Sequence, residues 1–290
     1  MYEKLEECPL CQFSSHANYL IVDDHSISKE SFALVQCNKC AFLYTNPRPT
    51  QEFMDKYYDS AQYISHSNKG RSIVNFVYKL ARLYTIRWKE NIVNKYQSKG
   101  SILDYGCGTG NFLKHMQTKG WSTKGVEPNA LARQQAVRKG ITVTDSIDNT
   151  SKDKVDIITA WHVMEHVHDL IDTIRILRKK LNPGGHLILA LPNCASFDAQ
   201  HYHQYWAGYD VPRHLYHFTP ATVNKLSSRT KFKLTETIGM PLDAFYVSIL
   251  SEKYKNSSNA LIKGLLTGFK SNRQARKDGN YSSLIYVLTK

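Results

Sequence analysis

The sequence of 290 residues contains no long apolar run, and this absence excludes several classes of protein. A helix that spans a bilayer needs about 20 consecutive apolar residues, and no segment approaches that length. The first seven residues are mostly acidic or polar and contain no apolar stretch of the kind found in secretory signals. We therefore expect a cytoplasmic protein whose six cysteines are reduced or metal-bound rather than paired in disulfides.

Acidic residues are also few compared with basic ones. The chain has 25 Asp and Glu against 38 Lys and Arg, which gives a formal charge of +13. The basic residues are spread along the chain, with local groups at 175–180 and 253–277, and they form neither a dense block nor a motif for RNA or DNA. Solvated helix faces explain most of them, and an anionic substrate or a membrane surface could use the excess.

Composition divides the chain into three regions. Residues 1–47 hold four of the six cysteines and end at a rigid Asn-Pro-Arg-Pro turn. Residues 48–98 are rich in aromatic residues and follow a helical pattern, which indicates a helical cap. In residues 99–290 strands and helices alternate, and this predicts an α/β domain with a parallel sheet covered on both faces.

The third region begins with a strand, a glycine-rich turn and a helix. The segment Ser-Ile-Leu-Asp-Tyr-Gly-Cys-Gly-Thr-Gly starts at residue 101 and places glycines at 106, 108 and 110. Glycine allows unusual backbone angles and lets a ligand approach closely. Glu127 ends the next predicted strand, where a carboxylate can accept hydrogen bonds from the two hydroxyls of a ribose. These features predict a nucleoside site built from Asp104, Gly106, Gly108, Gly110 and Glu127.

The spacing of the glycines indicates which nucleoside binds. A dinucleotide fingerprint reads G-x-G-x-x-G and holds a pyrophosphate, whereas this loop reads G-x-G-x-G after Asp104. That carboxylate would repel a pyrophosphate but would suit a ligand that carries positive charge, such as S-adenosylmethionine. At this point the chain resembles the class I S-adenosylmethionine-dependent methyltransferases, whose first motif is similar to residues 103–110.

The resemblance implies a Rossmann-like sheet of seven strands. We predict helices at 110–119, 129–139, 169–181 and after Pro220, with a partly helical insertion at 246–281. The strands are predicted at 101–105, 122–127, 141–145, 155–161, 185–191, 232–238 and 282–288. The resemblance also implies that His162 lines the donor pocket and that the segment with Tyr63 and His66 closes over the donor.

The cysteines of the first region form two C-x-x-C pairs. Cys8 and Cys11 precede Cys37 and Cys40 by 25 intervening residues. Two such pairs supply the four soft ligands of a tetrahedral zinc site. Four protein ligands leave no open position for catalysis, so we predict one structural zinc in a zinc-ribbon-like module. Ordinary buried cysteines and a redox dithiol are the alternatives.

Histidines supply the candidates for a catalytic base. The sequence His-Val-Met-Glu-His at 162–166 matches an H-x-x-E-H metalloprotease pattern, but it follows a buried strand rather than lying on one helix. The stretch 201–218 is dense in histidine and aromatic residues and resembles the type 11 and type 23 methyltransferases. We predict that His166, His214 or His217 takes a proton from the acceptor and that Arg213 binds an anionic group. The alternative is that this loop packs onto the sheet.

The predicted function is transfer of a methyl group from S-adenosylmethionine to a small acceptor such as a sugar or lipid, with O-methylation favoured. Nucleic acid is not the expected partner. Three alternatives remain open: an RNA methyltransferase that uses the zinc module, a nicotinamide-dependent oxidoreductase, and a non-catalytic scaffold.

Overall fold

The computed structural model describes residues 1–58, 73–151 and 153–290, and the side chains of 73–83 are outside the description. Contacts divide the chain into two compact units. The first unit comprises Met1–Tyr58, His162–Ile174 and Leu189–Leu288. The second comprises the described residues of 59–161, 175–188 and 289–290. The boundaries at 47 and 98 that composition indicates stay predictions.

The strands and helices are numbered here in chain order. Up to residue 94 they are β1 (Tyr2–Glu3), β2 (His16–Asp23), β3 (Ser31–Cys37), β4 (Leu43–Thr45), β5 (Arg48–Pro49) and α1 (Ile73–Asn94). From residue 101 to 161 they are β6 (Ser101–Tyr105), α2 (Asn111–Thr118), β7 (Ser122–Val126), α3 (Ala130–Arg138), β8 (Thr142–Thr144) and β9 (Val155–Trp161). The remainder are α4 (Leu170–Lys180), β10 (Leu181–Pro192), α5 (Phe197–Tyr202), β11 (Tyr216–His217), α6 (Pro220–Arg229), β12 (Lys233–Gly239), α7 (Asp243–Tyr254), α8 (Ala260–Asp278) and β13 (Ser283–Thr289).

The predicted seven-stranded sheet is confirmed. Its strands lie in the order β12-β13-β10-β9-β6-β7-β8, and β6 pairs in parallel with both β7 and β9. Local signals start its helices where the sequence indicates. The Asn129 side chain accepts a hydrogen bond from the Ala132 N–H at 3.0 Å and caps α3. Thr219 and Thr222 form a capping box around Pro220 at the start of α6.

A second sheet belongs to the first unit and joins two distant parts of the sequence. Its order is β11-β4-β3-β2, and in the antiparallel pair of β11 and β4, Tyr216 lies opposite Tyr44. Its apolar face packs with aromatic residues of the stretch 201–218, which we call the histidine-rich loop. This buried cluster is Val22, Phe32, Leu34, Leu43, Tyr57, Ala199, Tyr202, Trp206, Tyr209 and Val211. The aromatic residues of this loop in the cluster are therefore packed against a sheet, as the alternative interpretation of the loop predicts.

A helix that spans a bilayer has to be both long and apolar. None of the helices in the described ranges is both long enough and apolar enough to cross a membrane. The longest ones are α1 and α8, with 22 and 19 residues.

Candidate functional site

The glycine loop follows β6 in the second unit. Gly106, Gly108 and Gly110 have φ angles of 76°, 53° and 72°. A Cβ at Gly108 would meet no atom of the described residues within 4 Å beyond its chain neighbours, so the loop is open on that side. At Gly110 a Cβ would stand 2.8 Å from the Cβ of Ala136, so glycine there lets α2 and α3 approach each other.

Two buried carboxylates flank this loop. Asp104 accepts a hydrogen bond from the Thr159 hydroxyl at 2.6 Å, and burial raises the pKa of Asp104 to about 7 despite that hydrogen bond. Glu127 accepts from the Gly108 N–H at 2.8 Å and from the Asn129 N–H at 2.9 Å. Burial also raises the pKa of Glu127. A ligand with positive charge would offset the cost of burying these two acids.

The residues of the loop fit the donor that the resemblance implies. A carboxylate offers about four acceptor positions, and the backbone uses two of those on Glu127, which leaves room for ribose hydroxyls. The loop 106–110 contains no basic residue that would hold a phosphate. Tyr63 and His66, the other predicted donor contacts, lie outside the described residues.

His162 begins the first unit's segment directly after β9 and has a strained φ of 57°. Its Nδ1 is 3.4 Å from Glu165 Oε1 and its Nε2 is 3.3 Å from Asp243 Oδ2. Burial lowers the pKa of His162, but the contacts with Asp243 and Glu165 outweigh burial and raise it to about 9. His162 is therefore an imidazolium at neutral pH and holds its proton rather than accepting one.

We expect this ion pair to make stability depend on pH. Because the folded pKa of His162 is raised, its contribution to the free energy of unfolding is complete below the unfolded pKa of about 6.5. It is lost as the pH rises toward about 9. Denaturant unfolding of wild type and His162→Gln should differ most at pH 6 and least at pH 10. A difference that grows with pH would contradict the ion pair, and His186→Gln serves as the control.

Glu165, His166 and His214 lie together in the first unit. One ligand-type atom of each lies within 4.8 Å of those of the other two. The Nδ1 of His214 is 2.9 Å from the Gly208 carbonyl oxygen, and the Nδ1 of His166 is 3.0 Å from that of Arg213. Carbonyl oxygens only accept, so Nδ1 carries a proton in both rings, and Nε2 is the nitrogen that faces away from these carbonyls.

The carboxylate of this group is unusual. Glu165 is 0% exposed, and its contact with His162 at 3.4 Å is the ion pair that lowers the pKa of Glu165 despite burial. Burial lowers the pKa of His166 to about 4, with His214 adding to the effect. The site therefore gathers the neutral imidazole of His166, the imidazole of His214 and a buried carboxylate. We call these three residues the acceptor cluster.

His217 lies in a different environment from the other two predicted bases. Its Nε2 is 3.2 Å from the Thr45 hydroxyl, on the strand that pairs with β11. The residue is buried, and burial lowers its pKa well below the ordinary value. His217 is thus a neutral imidazole with one nitrogen engaged, and its role as a base stays a prediction.

Arg213 is saturated by groups of the protein itself. Its Nη2 donates to Asp24 at 2.9 Å and to Asp210 at 2.7 Å, and its Nη1 donates to the Tyr57 carbonyl at 3.1 Å. Burial raises the pKa of Asp24, but the hydrogen bonds from Arg213 and the Ser28 N–H outweigh it and lower the pKa to about 2. The guanidinium already binds two carboxylates. It therefore links the loop to Asp24, just after β2, rather than binding an anionic acceptor.

The four predicted zinc ligands lie together in the first unit. Cys8 Sγ is 3.6 Å from Cys40 Sγ, and Cys11 Sγ is 3.5 Å from Cys37 Sγ. A tetrahedral zinc with bonds of about 2.3 Å places its sulfurs about 3.8 Å apart. The described geometry therefore fits this metal.

The two C-x-x-C turns have the same backbone form. The carbonyl of Cys8 accepts from the N–H of Gln12, and that of Cys37 accepts from the N–H of Ala41, at 2.8 and 2.9 Å. Gln12 and Ala41 both have φ of 60°. This repetition shows two equivalent turns that aim four thiols at one point.

Three residues of these sites have contacts that no sequence motif indicates. Asp243 contacts His162 from a helix 81 positions further along the chain, and no motif surrounds it. Thr159 donates a hydrogen bond to Asp104 from the neighbouring strand, and in the sequence it cannot be distinguished from the other residues of that strand. Tyr58 places its hydroxyl 3.1 Å from His166 Nδ1. Each contact depends on tertiary structure rather than on a local pattern.

The sheet order and the glycine loop with its two acids define the fold of the S-adenosylmethionine-dependent methyltransferases. A family model described as a methyltransferase domain matches residues 78–237, more than half of the chain. The chain belongs to this methyltransferase domain family.

Solved structures agree on the fold. A mycolic acid cyclopropane synthase in complex with SAH and CTAB is 13% identical with a TM-score of 0.56, covering 84% of this chain and 99% of that one. Magnesium protoporphyrin IX methyltransferase from Synechocystis PCC 6803 with bound SAH is 14% identical with a TM-score of 0.54, covering 83% and 99%. At these identities the likeness shows the fold alone.

Relatives of known name match a shorter part of the chain. A ubiquinone biosynthesis O-methyltransferase of Proteus mirabilis (strain HI4320) is 31% identical over 102 residues, which is 32% of this chain and 42% of the relative. The chain thus spans about two fifths of the length of such curated relatives.

Proposed function

We propose that this protein transfers a methyl group from S-adenosylmethionine to a hydroxyl oxygen of a small molecule. The observation that carries the proposal is the open glycine loop between two buried carboxylates. The donor is already activated at its sulfonium carbon, so the protein has to position donor and acceptor and to remove a proton. The name of the Proteus mirabilis relative supports oxygen as the accepting atom.

The acceptor cluster is suited to remove that proton. A hydroxyl becomes a better nucleophile as its proton passes to an imidazole, and His166 and His214 each have Nδ1 on a backbone carbonyl, which leaves Nε2 to take that proton. The buried carboxylate of Glu165 stabilises the imidazolium that forms. All three residues belong to the first unit. We favour His214 as the base and His166 as the group that supports it.

Methyl transfer can be tested with donor carrying a labelled methyl group. The protein is incubated with the donor and, separately, with a small-metabolite extract, total lipids or purified RNA. We expect label in one of the first two fractions, in a product whose mass rises by one methylene and whose fragments place it on oxygen. Label in RNA alone would replace the proposal by the RNA methyltransferase, and label in no fraction would indicate a scaffold.

Donor binding has its own prediction. Glu127→Ala removes the acceptors for the ribose hydroxyls, and a hydrogen bond to a charged group contributes roughly 1.5–3 kcal/mol. We expect calorimetry to show at least about tenfold weaker binding of S-adenosylhomocysteine. Asp145→Ala, which removes an exposed carboxylate of the same unit, should bind normally. Equal affinity of Glu127→Ala and wild type would reject this role for Glu127.

We also propose that Cys8, Cys11, Cys37 and Cys40 hold one zinc ion. The support is the convergence of four sulfurs within 4.8 Å and the repeated turn. The metal would have a structural role, because its ligands lie at the turn between β3 and β4, which pair with each other. Strand β4 also pairs with β11, which belongs to the histidine-rich loop.

A further inference from the structure

The helical hairpin of α7 and α8 in the first unit has its apolar residues on the outside. Leu261, Ile262, Leu265, Leu266 and Phe269 of α8 are 38–65% exposed. They recur at intervals of three, four and one residues and therefore form one stripe along the helix. An ordinary helix of a globular protein turns such a stripe toward the core.

The opposite side of α8 explains how this arises. Its buried residues are all small or polar: Gly264, Thr267, Gly268, Ser271, Asn272 and Ala275. A Cβ at Gly264 would stand 2.5 Å from Ile249 Cα, and one at Gly268 would stand 2.6 Å from Phe245 Cδ1. The two helices thus approach each other through small residues, as helices do in a lipid environment.

The partner helix α7 shows the same inversion. It buries Ala244, Ser248 and Ser251, whereas Tyr246 is 66% exposed and Leu242, just before the helix, is 51% exposed. Exposed apolar side chains therefore lie on both helices of the hairpin. Monomeric proteins rarely leave a contiguous apolar surface of this kind without a binding function.

Charge indicates what covers this surface. Lys263, Lys270 and Lys277 recur every seven residues and so follow one border of the apolar stripe. Arg273 and Arg276 continue the stripe toward the C-terminal end of α8. Between Ala260 and Lys277 the helix contains no acidic residue. A border of cations beside large apolar side chains is complementary to anionic lipid headgroups above acyl chains.

We propose that the hairpin is a membrane-docking surface that lies flat on an anionic lipid bilayer. The residues of the stripe enter the boundary between headgroups and acyl chains, and the lysines extend their ammonium groups to the lipid phosphates. No described helix is apolar enough to cross a bilayer, so the hairpin binds at the surface. Such docking would let the enzyme reach an acceptor that is itself held in a membrane.

The test is co-sedimentation of the full chain with vesicles. Vesicles of phosphatidylcholine with about one third phosphatidylglycerol are compared with vesicles of phosphatidylcholine alone. We expect wild type to bind the anionic vesicles and to be released by salt. The double variant Leu266→Ser with Phe269→Ser should bind at least about tenfold more weakly, because two large apolar side chains no longer enter the lipid.

The charges are tested separately by Lys263→Gln, Lys270→Gln and Lys277→Gln in one chain. Each lysine near an anionic surface is worth roughly fivefold in binding, so this variant should lose its preference for anionic vesicles. The control is Ile21→Ser with Val137→Ser, which removes exposed apolar residues elsewhere and should bind like wild type. Since all these residues are exposed, unchanged thermal unfolding and donor affinity verify that the variants fold.

Two results would overturn the proposal. One is equal binding of wild type to anionic and neutral vesicles, or none to either. The other is a wild-type dimer in light scattering that Leu266→Ser with Phe269→Ser converts to a monomer, which would make the surface a contact between two copies. Neither result depends on methyl transfer, so this test and that of the proposed function fail independently.

Discussion

Replacement of His214 by Asn should lower turnover by roughly 10²–10⁴-fold, the usual contribution of a general base, and should leave donor affinity unchanged. Asn retains a hydrogen-bonding group near the Gly208 carbonyl, which His214 Nδ1 contacts at 2.9 Å, but it cannot take a proton. The effect should fall on kcat, because the base acts on the bound acceptor in the transition state. Single-turnover rates with saturating donor measure it directly.

The other histidines supply the controls for this prediction. His201→Asn changes an exposed ring that stacks on Phe197 and should be nearly as active as wild type. His166→Asn should reduce turnover less than His214→Asn if His166 only supports the base. If His217→Asn alone abolishes turnover, the assignment moves to the imidazole beside Thr45. A His214→Asn enzyme with normal turnover would show that positioning alone drives the reaction.

The glycine loop was predictable from the sequence because its signals are local. A buried strand, three alternating glycines and a helix all lie within residues 101–118. Glu127 lies one strand further on, at a distance that the βαβ unit fixes. The structure confirms the predicted sheet and gives all three glycines the left-handed conformations that the motif implies.

The acceptor cluster was less predictable because its contacts join distant parts of the chain. The sequence shows Glu165, His166 and His214 as motif residues, but only the fold shows that they meet. Arg213 illustrates the difficulty most clearly. A lone arginine in an aromatic loop suggests an anion site, whereas the structure pairs it with Asp24, which lies 189 positions earlier.

The hairpin shows a different limit of sequence patterns. The apolar residues of α8 have a helical spacing that can be seen in the sequence. Spacing alone identifies an apolar face, however, and does not state whether that face is buried. The glycines at 264 and 268 decide this, because they let the other face pack closely on α7. Small residues at the packed face are therefore the signal that the face with Leu265 and Phe269 points outward.

The second large effect that we expect is the loss of zinc when one of its cysteine ligands is replaced. In zinc-finger peptides the apparent binding free energy is roughly 10–16 kcal/mol, as large as the roughly 5–15 kcal/mol that stabilises a whole domain. Cys37→Ser breaks the tetrahedron, so the two C-x-x-C turns should lose their fixed structure. We expect elemental analysis to find about one zinc per chain in wild type and a strongly reduced content in Cys37→Ser.

The structure also indicates where the consequences of that substitution should appear. Cys37 ends β3, and Tyr44 of the next strand lies opposite Tyr216, so the damage should reach β11 as well as the turns. Limited proteolysis of Cys37→Ser should cut first near residues 8–13 and 37–42, while the donor affinity that we assign to Glu127 and the glycine loop stays intact. Cys194→Ser, which removes a thiol outside the group, should keep its metal and its resistance to protease. Metal-free protein with wild-type unfolding and an uncut N-terminal region would refute the zinc site. Two equivalents of metal would instead place a second ion in the acceptor cluster, whose imidazoles and carboxylate are also metal ligands.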